Sequence, residues 1–284
     1  MAAAPISFLS DFGRADEFVG VVHGVIARIV PGARVIDVGH DFARGDVRGA
    51  ALALLRSIQY LPEGVVLAVV DPGVGTTRRP IAVRTPWGHF VGPDNGLLAP
   101  AVAMVGGADR IVAIDNAELR IPSAGATFDG RDVFAPAAAV LSSGEAAIDD
   151  LGTPIGDGSF VPLMVPLAEP VGDGVLGEVL WVDHFGNVST NVAPDDLVTL
   201  GLGPGDDVAV AVGATEHRLV WAAAYGDVDP GRLLVHVDSS GQMAVAARGD
   251  RADERLALSP HVAVTFRRPR GGNRLTVQGV KPDV

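Results

Sequence analysis

The residues best placed to do chemistry in this chain are carboxylates at turn positions, with glycines beside them and arginines a few places on. The densest case is Val65 to Arg79, VVLAVVDPGVGTTRR. Asp71 stands where a mostly β-branched run ends, Gly73 and Gly75 permit a tight bend and a close approach to a ligand, and Arg78 follows. A carboxylate here could orient a water molecule and take its proton, while a guanidinium balances developing negative charge. The same stretch also reads as a strand-edge turn whose Asp caps backbone N–H groups. Asp11, Asp37 with His40 and Asp41, Asp94 with Asn95, Asp129 with Asp132, and Asp183 to Asn187 are further polar breaks of this kind.

Composition excludes several chemistries. The chain has 284 residues and no cysteine, so disulfides, thiolate metal sites and a cysteine nucleophile are out. The only lysine is Lys281, near the C-terminus, which removes a Walker-type phosphate lysine and a core Schiff-base lysine. Gly73-Val74-Gly75 is half a dinucleotide fingerprint, with Arg78 where the third glycine belongs. GxSxG, HExxH and P-loop patterns are absent, and the seven histidines lack tight metal-ligand spacing. Net charge is −12, from 22 basic and 34 acidic residues, and the Arg267-Arg268-Pro269-Arg270 cluster is too short for a nucleic-acid stripe. The expectation is no nucleic acid, no membrane and no resident metal. The N-terminal MAAAPISFLSDFG has no basic leader region and no apolar run reaches the ~18 residues of a membrane span, which predicts a cytoplasmic protein.

The elements that must position these residues follow from periodicity. Ile6 to Leu9, Val35 to Val38 and Val65 to Val70 read as strands. Between them lie helices from about Asp16, taken as N-cap, to Val30, and from Val47, capped by Asp46, to about Tyr60. This β-α-β-α-β order predicts a parallel sheet with Asp11, Asp37, His40, Asp41 and Asp71 on one rim. A hairpin about Pro86-Trp87-Gly88, a strand over Ile111 to Ile114 and an alanine-rich helix opened by Asp129 or Asp132 complete the first half. Beyond a Pro-, Gly- and Asp-dense stretch, short strands separated by turn residues predict a small antiparallel barrel or sandwich. The expected domains are 1–160, a linker at 161–174, a β domain at 175–270 and a tail at 271–284.

Five segments together carry a specific likeness. Ser10-Asp11-Phe12-Gly13, Val69 to Arg78, Gly92-Pro93-Asp94-Asn95-Gly96, Gly130 to Ala135, and Asp183 to Asn187 with Thr190-Asn191 resemble the S-adenosylmethionine hydrolase family. These are the hydroxide adenosyltransferases related to fluorinase and chlorinase, and the match runs in order from about residue 6 to residue 266. The resemblance implies an N-terminal α/β domain with a mostly parallel sheet and a C-terminal antiparallel β-barrel domain. It also implies a homotrimer whose substrate, S-adenosyl-L-methionine, lies between neighbouring subunits. The implied reaction is attack of water or hydroxide on the 5′ carbon, giving adenosine and L-methionine without a cofactor, because a sulfonium is already a good leaving group.

By the same resemblance Asp71 and Arg78 are catalytic, Asp11 binds the ribose hydroxyls, Asp183 contacts the methionine ammonium and Asn187 the adenine. Ser239 falls where the family also touches the methionine portion. Asp129 departs from the family, which usually reads Phe-His-Gly-Arg-Asp where this chain has Phe128-Asp129-Gly130-Arg131-Asp132. A second carboxylate beside Asp71 must raise one pKa or be bridged by Arg78. Retention of Arg78 and the short Trp87 turn argue against a halogenase-like adenosyltransferase. Asp129 leaves open a protein that binds an adenosyl ligand without reacting it.

Overall fold

The computed structural model describes residues 3–156 and 158–270. The chain divides into two compact units, one ending at Val165 and the other starting at Pro166. Residues 271–284, expected as a tail, lie outside the described residues.

The first unit is built on a six-stranded sheet. Its elements are β1 (Ile6–Ser10), α1 (Phe18–Ile29), β2 (Val35–Gly39), α2 (Val47–Ile58), β3 (Val65–Val69), β4 (Pro80–Arg84), β5 (His89–Pro93), α3 (Ala99–Met104), β6 (Arg110–Ala113) and α4 (Ala135–Ser143). The strand order is β2-β1-β3-β5-β4-β6. β1 pairs in parallel with β2 and β3, and β3 with β5, while β4 is antiparallel to β5 and β6. Both faces are covered, so alternate residues of one strand enter different cores. On β3, Val65, Leu67 and Val69 pack with α1 and α4, and Val66 and Ala68 pack with α2 and α3. That two-sided burial is why β3 reads as a continuous apolar run.

Chain reversal places β1 between β2 and β3. The crevice outside the C-terminal ends of β1 and β3 is therefore the topological switch point, where open α/β sheets bind ligands. Asp11 and Asp71 follow those two strands. Asp37 corrects the expected rim, because it lies inside β2 and not past its end. The α1 cap is corrected too. Glu17 occupies the N-cap position without a side-chain hydrogen bond, so Asp16 does not cap the helix. Asp46 does cap α2, its Oδ1 accepting from Gly49 N at 2.8 Å.

The second unit holds β7 (Glu169–Val171), β8 (Gly174–Val182), β9 (Val188–Thr190), β10 (Asp207–Val212), β11 (Thr215–Trp221), β12 (Leu233–Val237), β13 (Met243–Ala247) and β14 (Ala263–Arg267). β7 falls within the stretch expected as linker and pairs with β8. The ladder runs β14-β10-β11-β12-β13-β9-β8, and β14 also pairs with β8, closing a seven-stranded barrel. Pairing is antiparallel except between β11 and β12, which run parallel for two residue pairs. Val208, Val210, Leu219, Trp221, Val235, Met243, Val245, Val264 and Phe266 fill the interior with the period of two expected of barrel strands.

Candidate active site

Arg78 joins two carboxylates, Asp71 and Asp129, that lie far apart in the sequence. The turn after β3 folds back on itself: Val74 N donates to Asp71 O at 3.3 Å, Thr76 N donates to Gly73 O at 3.1 Å, and Thr76 Oγ1 donates to the same oxygen at 2.6 Å. Gly75 sits at φ +76°, a left-handed conformation that a side chain would strain. The guanidinium thereby returns to the strand end. Arg78 Nε donates to Asp71 Oδ1 at 3.0 Å, and Arg78 Nη2 donates to Asp71 Oδ2. The same Nη2 donates to Asp129 Oδ2 at 2.7 Å.

Side-chain exposure is 8% for Arg78, 6% for Asp71 and 22% for Asp129, so this is a buried two-carboxylate, one-guanidinium cluster. Arg78 rests 5.3 Å over the Phe134 ring, and its Nη1 is buried without an acceptor among the described residues. Burial, together with the charge of Asp129, pushes the Asp71 carboxyl above its usual range even though Arg78 pulls it down.

Asp129 arrives by an irregular helix start. Gly130–Phe134 forms one π-type turn that leads into α4, and Asp129 makes no side-chain cap bond, so the expected N-cap role is not found. Its carboxylate is turned to Arg78 instead. A Cβ at Gly130 would lie 2.7 Å from Phe12 Cζ, which lets the Phe12 ring pack directly against this turn. Phe12, Phe18 and Phe128 contact one another edge-on or tilted, with centroids 5.1–6.2 Å apart, forming an aromatic wall beside Asp129.

Asp11 follows β1 on the same rim. Its N donates to Val69 O at 3.4 Å and its Oδ2 accepts from Gly45 N at 2.8 Å. Asp41 lies outward, 3.7 Å from Arg14, with 71% of its side chain exposed. Asp94 ties Arg79 and the N–H of Val161 together and is a structural clamp. Among the described residues no three His, Cys, Asp or Glu side chains group as a metal site, and no helix is long and apolar enough to cross a membrane.

The second unit gathers Asp183 and Asn187 at a cavity of about 740 Å³ lined also by Phe185, Tyr225 and Arg251. Asp183 Oδ1 accepts from the N–H groups of Phe185 and Asn187, each at 2.9 Å, and Oδ2 accepts from Asn187 Nδ2 at 2.8 Å. The segment is thus an Asx-type turn that also faces a cavity. Ser239 is exposed at the β12–β13 turn and does not line this cavity; neighbouring Asp238 holds the turn by accepting from Ser240 N and Gln242 N. Burial, with Asp183 and Asp238 near, pushes the Tyr225 hydroxyl up. Sequence reading missed Tyr225, Arg251, Phe12, Phe128 and Phe134 as site neighbours, because single aromatic residues and surface-type arginines carry no spacing pattern.

Comparison with known proteins agrees on one family. The models described as SAM hydroxide adenosyltransferase N-terminal domain and C-terminal domain match residues 6–152 and 177–265. The chain is 46% identical over 261 residues to a protein of Salinispora tropica named (R)-S-adenosyl-L-methionine hydrolase, covering 92% of this chain and 97% of that one. It is 26% identical over 269 residues to a protein of Actinoplanes named fluorinase, covering 85% and 90%. A crystal structure of an uncharacterized conserved protein from Thermotoga maritima superposes with a TM-score of 0.83 at 39% identity, over 93% of this chain and 100% of that one.

Proposed function

The chain belongs to the S-adenosyl-L-methionine hydroxide adenosyltransferase family, and on that premise we propose that it hydrolyses S-adenosyl-L-methionine to adenosine and L-methionine. The observation that carries the reading to residues is the buried Asp71–Arg78–Asp129 cluster at the switch-point crevice. The water oxygen attacks the 5′ carbon in line with the C–S bond. That bond breaks with its electron pair passing to sulfur, and the water proton goes to a carboxylate. A carboxylate held above its usual pKa is a better proton acceptor than a free one, which fits Asp71 as the base. The Nη1 donor of Arg78, without an acceptor among the described residues, suits a hydrogen bond that holds the oxygen of the attacking water or hydroxide in line. No cofactor is required, because the substrate already carries its leaving group.

Asp11 is read as the acceptor for the ribose hydroxyls, for which a carboxylate has two suitable oxygens. Asp183, Asn187 and Ser239 are read as substrate-binding on the family likeness, Asp183 and Asn187 with the support of the cavity they line. The substrate form we favour is the (R) sulfonium, the epimer in the name of the Salinispora relative. We further read the protein as a cytoplasmic homotrimer, the assembly that the family resemblance supports, and sedimentation equilibrium separates a trimer from a monomer.

Incubating the protein with each sulfonium epimer, with and without fluoride or chloride, and separating the products tests the activity. Adenosine and methionine in equal amounts from the (R) epimer, unchanged by halide, is the expected result. A halogenated nucleoside, or binding of the substrate with no adenosine at any pH, would overturn it.

A further inference from the structure

A buried polar chain beside the crevice is used by no step of the hydrolysis. His40 stands just past the end of β2 with its side chain 0% exposed. Its Nδ1 lies 2.8 Å from Ser10 Oγ, and its Nε2 lies 3.1 Å from Asp37 Oδ1, an electrostatic contact off the best hydrogen-bond line. Asp37 Oδ1 is also 2.8 Å from His23 Nε2. The order Ser10–His40–Asp37–His23 therefore runs from the rim of the sheet to a half-exposed surface pair. The first three residue types are those of a hydrolytic triad. Ser10 is 0% exposed, so no substrate reaches its hydroxyl, and nucleophilic chemistry is excluded.

The polarity of the chain is consistent along its length. A proton on Nε2 faces the Asp37 carboxylate, which leaves Nδ1 to accept from the Ser10 hydroxyl. Ser10 Oγ in turn accepts from Phe12 N at 3.4 Å. The backbone of His40 adds a second tie, its O accepting from Gly13 N at 2.8 Å. One residue thus holds both ends of the Ser10–Gly13 turn, by its side chain at one end and its carbonyl at the other. Asp11 lies inside that turn, and its Oδ2 is taken by Gly45 N from the same loop that His40 begins. The Phe8 ring, 4.5 Å from the imidazole, keeps His40 from swinging away.

We propose that His40 is a positioning residue for substrate binding, locking the Ser10–Gly13 turn through Ser10 so that the Asp11 carboxylate is preset for the hydroxyl pair of its ligand. The proposal rests on the reading of Asp11 as a substrate-binding group. It deepens that reading by assigning the order of the turn to a residue that never touches substrate. Preset polar groups gain affinity by removing the ordering cost from the binding step, so the effect belongs in KM and dissociation constant and not in the chemical step.

The test measures KM, kcat and the calorimetric dissociation constant for S-adenosyl-L-methionine in Ser10→Ala, His40→Phe and His40→Asn, each alone and combined with Asp11→Ala. His40→Phe keeps the contact with Phe8 but removes both polar ends, whereas His40→Asn can still hydrogen-bond Ser10. Ser10→Ala and His40→Phe are expected to raise KM and the dissociation constant about tenfold with kcat within about twofold, the scale of one lost buried hydrogen bond. His40→Asn is expected to recover most of that loss. In the Asp11→Ala background the substitutions should add nothing further, which general destabilisation would not reproduce.

Unchanged KM in folded variants, a fall in kcat alone, or full additivity with Asp11→Ala would each overturn the proposal. Should His40→Phe fail to fold, Ser10→Ala decides by the same readouts. Failure of the underlying reading shows separately, as a wild-type protein without turnover or an Asp11→Ala variant that binds normally, and it removes the proposal as well.

Discussion

Arg78 is the pivot of the candidate site, because it holds two carboxylates side by side and the charge of one bears on the titration of the other, Asp71. Asp71 titrates above its usual range through burial and through the negative charge of Asp129. If the Asp71 anion is the working form, activity rises with pH through that raised value. Asp129→Asn removes the opposing charge and leaves Arg78 to Asp71 alone, so the acid limb of the kcat/KM profile is expected to move to lower pH. A limb that stays in place or moves up would separate Asp71 from the titration. Asp71→Asn is expected to lower kcat by about 10²–10⁴-fold, the range of a positioned general base, with calorimetric affinity largely kept. Arg78→Ala leaves two buried carboxylates facing each other. It should lower stability by about 3–5 kcal/mol, as removal of one partner from a buried pair does, and denaturant unfolding reads this directly. The Asp71–Arg78 pair was legible from its short spacing within one turn. The contact with Asp129 was not, since 51 residues separate it from Arg78 and only packing joins them.

At the scale of elements, two helix starts show how local chemistry and packing divide the work. Asp46 caps α2 through Gly49 N, so Asp46→Ala is expected to cost about 1 kcal/mol, read as a lower thermal midpoint with unchanged turnover. Asp129 has the residue type of a cap but serves Arg78, and the helix opens with a π-type turn in its place, a feature often found at functional sites. Gly130→Ala would set a Cβ 2.7 Å from the Phe12 ring. The ring must then move against Phe18 and Phe128, a loss of about 1–3 kcal/mol, and kcat should fall because Asp129 is carried on the same turn. Wild-type kcat in that variant would show the π turn to be irrelevant to the site. The strands of both units were visible as β-branched runs bounded by Gly and Pro. Their exact ends were not, because hydrogen bonding to a neighbour strand decides where a ladder stops. The misplaced cap of α1 has a similar origin: Asp16 and Glu17 are both exposed acidic residues, and composition alone does not choose between them.

For the molecule as a whole, stability against acid is set by groups of opposite sign. Burial would raise the Asp132 carboxyl, but hydrogen bonds from Arg131 and Ser123 and the Arg131 charge outweigh it, leaving it below the ordinary carboxylate value. Such a group stabilises the fold above its unfolded pKa, and the contribution is lost as pH falls through the lower folded value. Asp71 works the other way: its contribution favours the fold at low pH and is lost as pH rises from 3.8 through its raised value. The thermal midpoint is therefore expected to drop on acidification below about pH 4, and Asp132→Asn should make that drop smaller. An equal drop in the variant would assign acid unfolding to other groups. Sequence by itself determined the class of both halves, since periodicity and turn residues report which faces are buried. It also singled out Asp11, Asp71 and Arg78, whose positions at strand ends follow from local order. Only the tertiary structure decided that Arg78 bridges Asp71 and Asp129, that β14 meets β8 to close the barrel, and that His40 laces Ser10 to Asp37. Each of these depends on at least one contact between segments far apart in the chain. Its geometry depends on how strands are ordered and cores are filled, and local residue patterns carry no record of that.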